Sequence, residues 1–306
     1  MLKYFSVIYM KKQIRSVILL LLATIIWGSA FVSQSVAMDH LGPFSFQAAR
    51  CFMAVLVLLP SVWVFDKLQG KKGFLKGWKN ARLWKAGLLF GIPLFLACNL
   101  QQIGLVDTGA GKSAFLTAMY IVIVPIIGII RKRPFSPLIP ISVILAVVGL
   151  YFLTGASGSF VLSDLLLLGC ALMFAIHITF IDIFAQDIDP IRLSCIQAFV
   201  CAVISAIVML FTEQPTWQGV FNCTLPLIHV GVLSMGAAYT MQILAQKHIE
   251  PSSASLIMSL ESVFALLFGW VLLNEQLSLA EWIGCLLIFV AVILSQINIK
   301  KKAPIQ

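Results

Sequence analysis

Ten stretches of apolar residues, most of them about 20 residues long, follow one another along this 306-residue chain. A hydrocarbon core about 30 Å thick takes roughly 20 helical residues to cross, because an α-helix rises about 1.5 Å per residue. The pattern predicts an all-α integral membrane protein with ten transmembrane helices. The predicted spans are Ser16–Met38, Phe44–Phe65, Ala86–Val106, Ser113–Ile130, Pro140–Thr154, Leu165–Gln186, Leu193–Phe211, Leu225–Gln246, Ser253–Leu273 and Trp282–Ile299.

The composition leaves little chain outside a bilayer. Charged residues make up 11% of the sequence and apolar residues 60%, with a mean hydropathy of +1.02. A soluble globular domain has about 25% charged residues. The net charge of +9 could suggest binding to nucleic acid, but in a membrane protein basic residues are first a signal of topology.

The basic residues fall almost entirely on one side of the predicted membrane. When the spans alternate in direction, all of the 21 Lys and Arg residues except Lys112 and Arg50 share the side of the N-terminus. Because positively charged loops stay in the cytoplasm, this bias predicts cytoplasmic tails at residues 1–15 and 300–306. It also supports the count of ten spans, since with one span fewer the Lys and Arg residues would fall on both sides of the membrane.

The N-terminus has basic residues followed by an apolar run, a combination that signal peptides share. The run continues for a full span without a convincing small-residue cleavage site, so we expect an uncleaved first helix. Met10 is an alternative start, since Lys11, Lys12 and Arg15 would still supply an orienting charge cluster.

The two halves of the chain show a weak internal repeat. A shift of 147 positions, and then one near 140, superposes four residue pairs: Pro43 on Pro190, Phe52 on Phe199, Ala114 on Ala254 and Leu116 on Leu256. Each half has five predicted spans, and an odd number makes the second half enter the membrane from the opposite face. We therefore predict two inverted five-helix repeats, residues 16–154 and 163–299, an architecture that in transporters places the substrate site near the midplane.

Polar residues share one face of several predicted spans, because a helix repeats its facing every 3.6 residues. These faces suggest a water-filled central cavity, and the fifth, seventh and tenth spans, which are almost bare, are expected to lie outside it. Tight helix packing is the favoured alternative for the serines and Gly28, whereas long polar side chains would be costly in lipid. The candidate cavity residues are Trp27, Gln34, Asn99, Gln102, Tyr120, His177, Tyr239, Gln242, Ser255 and Ser259.

Two ionisable residues lie deep inside predicted spans, where a charge normally faces protein or water. The helical rise places Glu261 at a depth similar to that of His177, so the two could meet and carry a coupling proton. The favoured alternative makes Glu261 a structural hydrogen-bond acceptor. Arg50, near the outer end of its span, is expected to extend towards the outer surface, and the alternative is contact with an anionic substrate.

Four segments carry a resemblance to a known family: WGSAF at Trp27–Phe31, AAR at Ala48–Arg50, SAFLTAMYIVIVP at Ser113–Pro125 and ASLIMSLESVFALLFGWVLLNEQLS at Ala254–Ser278. They look like the EamA-type members of the drug/metabolite transporter superfamily. The resemblance implies ten helices in two inverted repeats, a central cavity and alternating-access transport, usually export, of small metabolites or amino acids. The chain departs from the family at Ser262, which follows Glu261 where the family often has proline.

The predicted function is secondary active transport, in the direction of export, of a small metabolite or amino acid across the cytoplasmic (inner) membrane. The expected partners are a small-molecule substrate, the lipid bilayer and a coupling ion such as a proton, with no nucleic acid. Multidrug efflux is the alternative within transport, and a membrane-embedded enzyme is the alternative outside it. Since the chain has no Walker motif, and its four histidines and seven cysteines lack ligand spacing, we predict no enzyme activity, cofactor or metal site.

Overall fold

The computed structural model describes residues 2–70, 74–108, 110–133, 136–154, 161–273 and 277–297 of the chain. Lys71, Lys72 and the predicted tail 300–306 lie outside these residues, as do the side chains of Lys3 and Lys112. Throughout the described residues the regular structure is helical, as the apolar pattern predicts.

The helices follow the apolar stretches in order, and we number them by stretch. They are α1 (Leu2–Met38), α2 (Pro43–Leu68), α3 (Ala81–Thr108), α4 (Ala110–Ala118 and Tyr120–Ile130), α5 (Ile139–Thr154), α6 (Leu162–Phe184), α7 (Pro190–Thr212), α8 (Thr224–Ile228, His229–Ala238 and Tyr239–Gln246), α9 (Pro251–Met258 and Leu260–Leu273) and α10 (Leu279–Gln296). A 3₁₀ helix, Phe74–Lys79, precedes α3, and a short helix, Trp217–Asn222, precedes α8.

Nine of the helices in the described residues are long and apolar enough to cross a membrane. The exception is α5, whose apolar part is only Ile139–Leu153. Large apolar side chains such as Leu56, Leu210 and Ile293 are exposed on the outside of the bundle, as lipid-facing residues would be. The chain is therefore a multi-pass membrane protein, and the tenth crossing, by α5, stays a prediction.

Proline marks the start of three helices. Pro43, Pro190 and Pro251 occupy the first turn of α2, α7 and α9, where the missing N–H removes no intrahelical hydrogen bond. At α7 the Asp189 carboxylate also accepts hydrogen bonds from the backbone N–H groups of Ile191 (3.1 Å) and Arg192 (3.0 Å). These starts lie within three residues of the starts that the apolar stretches predict.

Three helices are interrupted within their apolar stretches. The helical pattern of α4 breaks at Met119, and that of α9 breaks at Ser259, 140 positions later. Ser259 stands two residues before Glu261, so α9 is discontinuous there although Glu261 is followed by Ser262 and not by a proline. In α8 the middle segment, His229–Ala238, is a π-helix. This form is rare overall, and where it occurs it is often at a functional site.

Helices of one half pack mainly against helices of the other half. Helix α1 packs against α8 and α9, and its counterpart α6 packs against α3 and α4. Helices α2 and α7 pack against each other, as do α5 and α10. Exchanging each helix of the first half with the corresponding helix of the second half leaves this set of pairs unchanged.

Glycine allows the closest of these helix contacts. Gly149 of α5 faces Gly284 of α10, and a Cβ added at Gly284 would lie 2.6 Å from the carbonyl oxygen of Gly149. A Cβ added at Gly28 of α1 would lie 2.9 Å from the carbonyl oxygen of Glu261 in α9. Small residues let backbones approach in this way inside membranes. Gly28 therefore serves helix packing, which the sequence favoured over a place in the cavity wall.

A carboxylate joins α2 to α7 at one end of the bundle. The Glu213 side chain, directly after α7, accepts hydrogen bonds from the backbone N–H groups of Phe44 (2.9 Å) and Ser45 (2.8 Å), and from the Ser45 hydroxyl (2.5 Å). It thereby satisfies backbone donors at the start of α2, where the helix dipole also favours a negative charge.

A second carboxylate joins the same two helices at the opposite end, which we call the basic end because Arg131, Arg133 and Arg192 lie there. Asp66, in the last turn of α2, forms a buried ion pair with Arg192 of α7, and Asp189 accepts from the same guanidinium at 3.0 Å. Arg192 is 147 positions after Ser45, and Glu213 is 147 positions after Asp66. The two ties are therefore related by the same shift that the sequence suggests for the repeat.

Other contacts at the basic end join the second half to the first half or to itself. Asp182 of α6 lies 3.2 Å from the guanidinium of Arg133, which follows α4. Lys247, directly after α8, donates a hydrogen bond to the carbonyl oxygen of Ile188 at 2.7 Å. Partial burial lowers the pKa of the Lys247 ammonium group, an effect that the nearby carboxylate of Asp189 opposes.

Candidate functional site

A cavity between the two halves is lined by several buried polar and ionisable side chains. It has about 510 Å³ of empty space, counted to include its mouth. Helices α1, α2, α3, α4, α6, α8 and α9 contribute to its wall, and none of the described lining residues comes from α5, α7 or α10. The polar lining residues are Gln34, Arg50, Gln101, Ser234, Gln242 and Glu261, and the aromatic and apolar ones are Trp27, Phe31, Tyr120, Phe174, Ile178, Tyr239 and Met258.

The carboxylate in this wall is Glu261, which is only 9% exposed. It accepts a hydrogen bond of 3.1 Å from the Tyr120 hydroxyl. Both residues follow the interruptions in α9 and α4, so the broken helices bring them together. Among the described residues no cation forms an ion pair with Glu261.

Arg50 of α2 is the cation of the same wall. The expectation that it extends to the outer surface is wrong, because its side chain is buried, with 3% exposure, and faces the cavity. Its Nη1 donates a hydrogen bond of 2.6 Å to the Gln34 amide oxygen, and its guanidinium carbon lies 5.5 Å from the centre of the Phe46 ring. A neutral acceptor on α1 and an aromatic face thus hold this side chain inside.

Aromatic rings form another part of the wall. The rings of Trp27 and Tyr239 have centroids 5.1 Å apart, and those of Tyr120 and Phe174 are 6.3 Å apart in an edge-to-face arrangement. The Tyr239 hydroxyl lies 3.6 Å from the Cys98 sulfur. Edge-to-face packing of this kind leaves a stable but apolar surface facing the cavity.

Half of the ten predicted cavity residues line this wall and half do not. Trp27, Gln34, Tyr120, Tyr239 and Gln242 line it. Asn99 instead donates hydrogen bonds to the Phe95 carbonyl (2.8 Å) and the Ser205 hydroxyl (3.2 Å). Gln102 is fully buried, and neither end of its amide has a hydrogen-bond partner in the part of the chain that the structure describes.

The remaining three predicted residues are buried in helix contacts. His177 lies 3.1 Å from the Gln197 amide oxygen of α7 and does not contact Glu261. The Ser255 and Ser259 hydroxyls donate to carbonyl oxygens of their own helix, Ser252 at 2.9 Å and Leu256 at 2.7 Å. Such bonds satisfy a serine locally, so the serine face of α9 serves packing.

Sequence reasoning missed several lining residues. Gln101, rather than its neighbour Gln102, faces the cavity, and Phe31, Ser234 and Met258 are also in the wall. Phe31 stands four residues after Trp27, so the helical period could have identified it. Met258 and Ser234 lie on or beside irregular helix segments, where that period fails.

His229 forms a bridge that the pattern of polar faces did not predict. At the start of the π-helix its Nε2 lies 3.1 Å from the Ser29 hydroxyl and its Nδ1 lies 2.8 Å from the Ser33 hydroxyl. Because Ser29 already donates to the Ile26 carbonyl, it must accept from Nε2–H, which leaves Nδ1 to accept from Ser33. His229 thus fixes α8 against α1 beside the cavity.

Lining residues recur at constant separations along the chain. Trp27 and Phe174, and likewise Phe31 and Ile178, are 147 positions apart. In the third and fourth helices of each half the separation is 141: it relates Gln101 to Gln242, and Tyr120 to Glu261, which are hydrogen-bonded to each other. Both halves therefore contribute to the cavity wall from similar places along the chain.

The chain matches the model of the EamA-like transporter family twice, over residues 14–155 and 161–296. It belongs to the EamA-like transporter family. The two EamA matches together cover nearly the whole chain and divide it between α5 and α6. The chain is thus a membrane transporter of the EamA type, as its resemblance predicted.

Curated relatives agree with membership of the EamA family. An uncharacterized transporter of Archaeoglobus fulgidus is 35% identical over 283 residues, which cover 92% of this chain and 85% of that protein. The uncharacterized transporter YoaV of Bacillus subtilis is 23% identical, with 91% and 96% of the two chains covered. A crystal structure with 16% identity superposes with a TM-score of 0.77 over 92% of this chain and 96% of its own, which shows that the EamA chain shares that fold.

Proposed function

We propose that this protein is a secondary active transporter that moves small metabolites or amino acids across the cytoplasmic membrane, in the direction of export, by alternating access through the cavity. One observation carries the proposal: a buried carboxylate and a buried guanidinium line the same cavity inside a membrane-spanning bundle. Ionisable groups are expensive at that depth and usually mark the pathway of a substrate or an ion.

The proposal includes ten transmembrane helices arranged as two inverted repeats. The two family matches, the exchange symmetry of the helix pairs and the recurring separations of 147 and 141 positions all support a duplicated unit. Five helices in each half would make the second unit run in the opposite direction. Helix α5 has 16 residues and would rise about 24 Å, which is shorter than a bilayer core of about 30 Å. To cross, it would need a locally thin bilayer, or a neighbouring loop residue would have to enter the membrane.

The proposed orientation places the basic end in the cytoplasm, together with both termini. The bias of Lys and Arg supports this assignment, since Arg131, Arg133 and Arg192 all lie at that end. Export would then begin with binding of the substrate from the basic end.

We further propose that Glu261 carries the coupling proton. Its burial in the cavity wall and its hydrogen bond from Tyr120 support this role. The paired role of His177 has less support, because His177 contacts Gln197 and does not line the cavity. The proposed proton site is therefore Glu261 with Tyr120.

Multidrug efflux remains the second candidate, and the aromatic wall favours it. Trp27, Phe174 and Tyr239, together with the flexible side chain of Met258, could adapt to several apolar shapes. A multidrug transporter would move lipophilic cations such as ethidium, whereas a metabolite transporter would ignore them.

The deciding experiment uses purified protein in liposomes with an imposed proton or sodium gradient. A panel of labelled amino acids, small metabolites and ethidium is offered, with protein-free liposomes as the control. We expect gradient-dependent movement of at least one metabolite and none of ethidium. Movement of ethidium alone would favour multidrug efflux, and chemical conversion without movement of any compound would favour an enzyme.

A further inference from the structure

We propose that Arg50 is the binding residue for a carboxylate of the substrate, and that the substrate is a monocarboxylate with an apolar or aromatic body. This inference rests on the proposed transport function and adds the chemical class of the transported molecule. It is carried by the contacts of the Arg50 side chain, by the charge balance of the cavity and by the chemistry of its wall.

The guanidinium of Arg50 is incompletely paired. Its single hydrogen bond to the described residues runs from Nη1 to the Gln34 amide oxygen at 2.6 Å. Within the described part of the chain the buried Nε atom has no hydrogen-bond partner, and no hydrogen bond or ion pair involves Nη2. Nε and Nη2 form one edge of the guanidinium plane, and that edge matches the two oxygens of a carboxylate.

Burial makes the unpaired edge costly in the empty cavity. Arg50 is 3% exposed, and no carboxylate of the described chain forms an ion pair with it. An arginine is always charged, so its charge cannot be removed by loss of a proton. Structures retain such a charge where a partner supplies the missing anion, and the Arg50 side chain lines a cavity that a partner could occupy.

The other charge in the wall limits the anion to one negative charge. Glu261 lines the same cavity without forming an ion pair with Arg50. A phosphate or dicarboxylate would bring two negative charges into a cavity wall that has one guanidinium and already has one carboxylate. A monocarboxylate neutralises Arg50 and adds no further charge to the cavity.

The remaining wall selects the body of the molecule. Trp27, Phe31, Phe174 and Met258 present rings and a thioether chain to the cavity. These groups gain from contact with apolar surface, and the Trp27 indole N–H is the one hydrogen-bond donor among them. A carboxylate on an aromatic or branched aliphatic body satisfies both parts of the site.

The test compares probes that share one body. Purified protein in detergent is titrated with labelled 3-phenylpropionate, phenylalanine, the neutral 3-phenylpropionamide and the dianionic 2-phenylethylphosphonate. We expect a carboxylate to bind at least tenfold more tightly than the amide and the phosphonate. Equal binding of the amide, tighter binding of the phosphonate, or no binding of either carboxylate would overturn the inference.

Variants of Arg50 assign the preference to this residue. In Arg50→Gln the ratio of carboxylate to amide affinity should fall from at least ten to near one, and in Arg50→Lys it should be partly kept. The ratio is measured within one preparation, so it does not depend on the folded fraction. Arg82→Gln, which changes an exposed arginine at the start of α3, is the matched control and should keep the wild-type ratio.

The same probes in liposomes separate the two proposals. Binding of a carboxylate without any transport supports the site and contradicts the proposed function. Transport of a compound that lacks a carboxylate, with a rate that Arg50→Gln leaves unchanged, supports the function and contradicts the site.

Discussion

Tyr120 and Glu261 lie 141 positions apart in the chain and are joined by a hydrogen bond of 3.1 Å from the tyrosine hydroxyl to the carboxylate. Tyr120 stands directly after the interruption in α4, and Glu261 stands two residues after the interruption in α9. The carboxylate of the cavity wall is therefore held by a tyrosine from nearly the same place in the other half. Two consequences of this contact can be measured.

Replacing Glu261 by glutamine should abolish gradient-driven uptake in liposomes, with a loss of at least tenfold, and should leave exchange of substrate across the membrane intact. Glutamine keeps the shape and can accept from Tyr120, but it cannot bind and release a proton. Glu281→Gln, which alters the acidic cap of α10 outside the cavity, is the control. Equal loss of both activities, or of neither, would refute the coupling role.

Replacing Tyr120 by phenylalanine should lower the free energy of unfolding by about 0.6 kcal/mol and by no more than about 2, the range for hydrogen bonds between helices in membranes. The ring contact with Phe174 would remain, so only the hydroxyl is tested. Thermal unfolding in detergent measures the change. In the Glu261→Ala background the same substitution should cost less, because its acceptor is absent; an unchanged cost would show that the bond contributes nothing.

Replacing Arg192 by glutamine should destabilise the protein by about 3–5 kcal/mol, because Asp66 would stay buried without its cation. Loss of folded protein on heating in detergent, followed by size-exclusion chromatography, measures the effect. The exposed Asp187 is nearby, and Asp187→Asn should change stability by less than about 0.5 kcal/mol. If the two variants unfold at the same temperature, Arg192 and Asp66 do not hold α2 and α7 together.

Replacing Gly284 by alanine should force α5 and α10 apart, because the added Cβ would lie 2.6 Å from backbone atoms of Gly149 and Leu153. Overpacking of this kind costs about 1–3 kcal/mol, and it should appear as a lower unfolding temperature. Gly128→Ala is a matched control in α4, since a Cβ there meets no atom within 4 Å. It should be neutral or slightly stabilising, and equal effects at both positions would contradict the close contact.

The sequence was sufficient to predict the helices because their apolar stretches are long and their starts carry recognisable residues. Pro43 and Pro190 mark two starts to within three residues. Helix α3 begins at Ala81, five residues before the predicted span, because its basic first turn continues beyond the apolar part and Asn80 accepts from the N–H of Arg82. Hydropathy alone cannot detect a helix that extends past the bilayer core.

The orientation of polar side chains was harder to predict. Gln101 and Gln102 differ by about 100° around α3, and which of them faces the cavity depends on how the helix packs. Gly87 and Gly91 of α3 pack against Ile196 and Val200 of α7, and this contact fixes the rotation. No periodicity within α3 contains that information.

Two further errors came from hydrogen-bond partners that the pattern of polar residues does not reveal. Arg50 was expected to reach the surface because it lies near the outer end of its span. The Gln34 amide oxygen that holds it inside lies on another helix, which the pattern within α2 does not reveal. The serines of α9 form a regular polar face, but their hydroxyls bond within the helix, so the regular spacing did not indicate a cavity. Polar residues identify the helices around the cavity better than they identify the atoms that face it.

The ties between α2 and α7 limit how such a bundle can change shape. Glu213 fastens the start of α2 to the end of α7, and Asp66 fastens the end of α2 to Arg192. Because α2 and α7 are tied at both ends, the pair can tilt as a unit, but the two helices cannot separate from each other at either end. For the proposed alternating access we therefore expect the cavity to open elsewhere, with the interruptions at Met119 and Ser259 as candidate hinges.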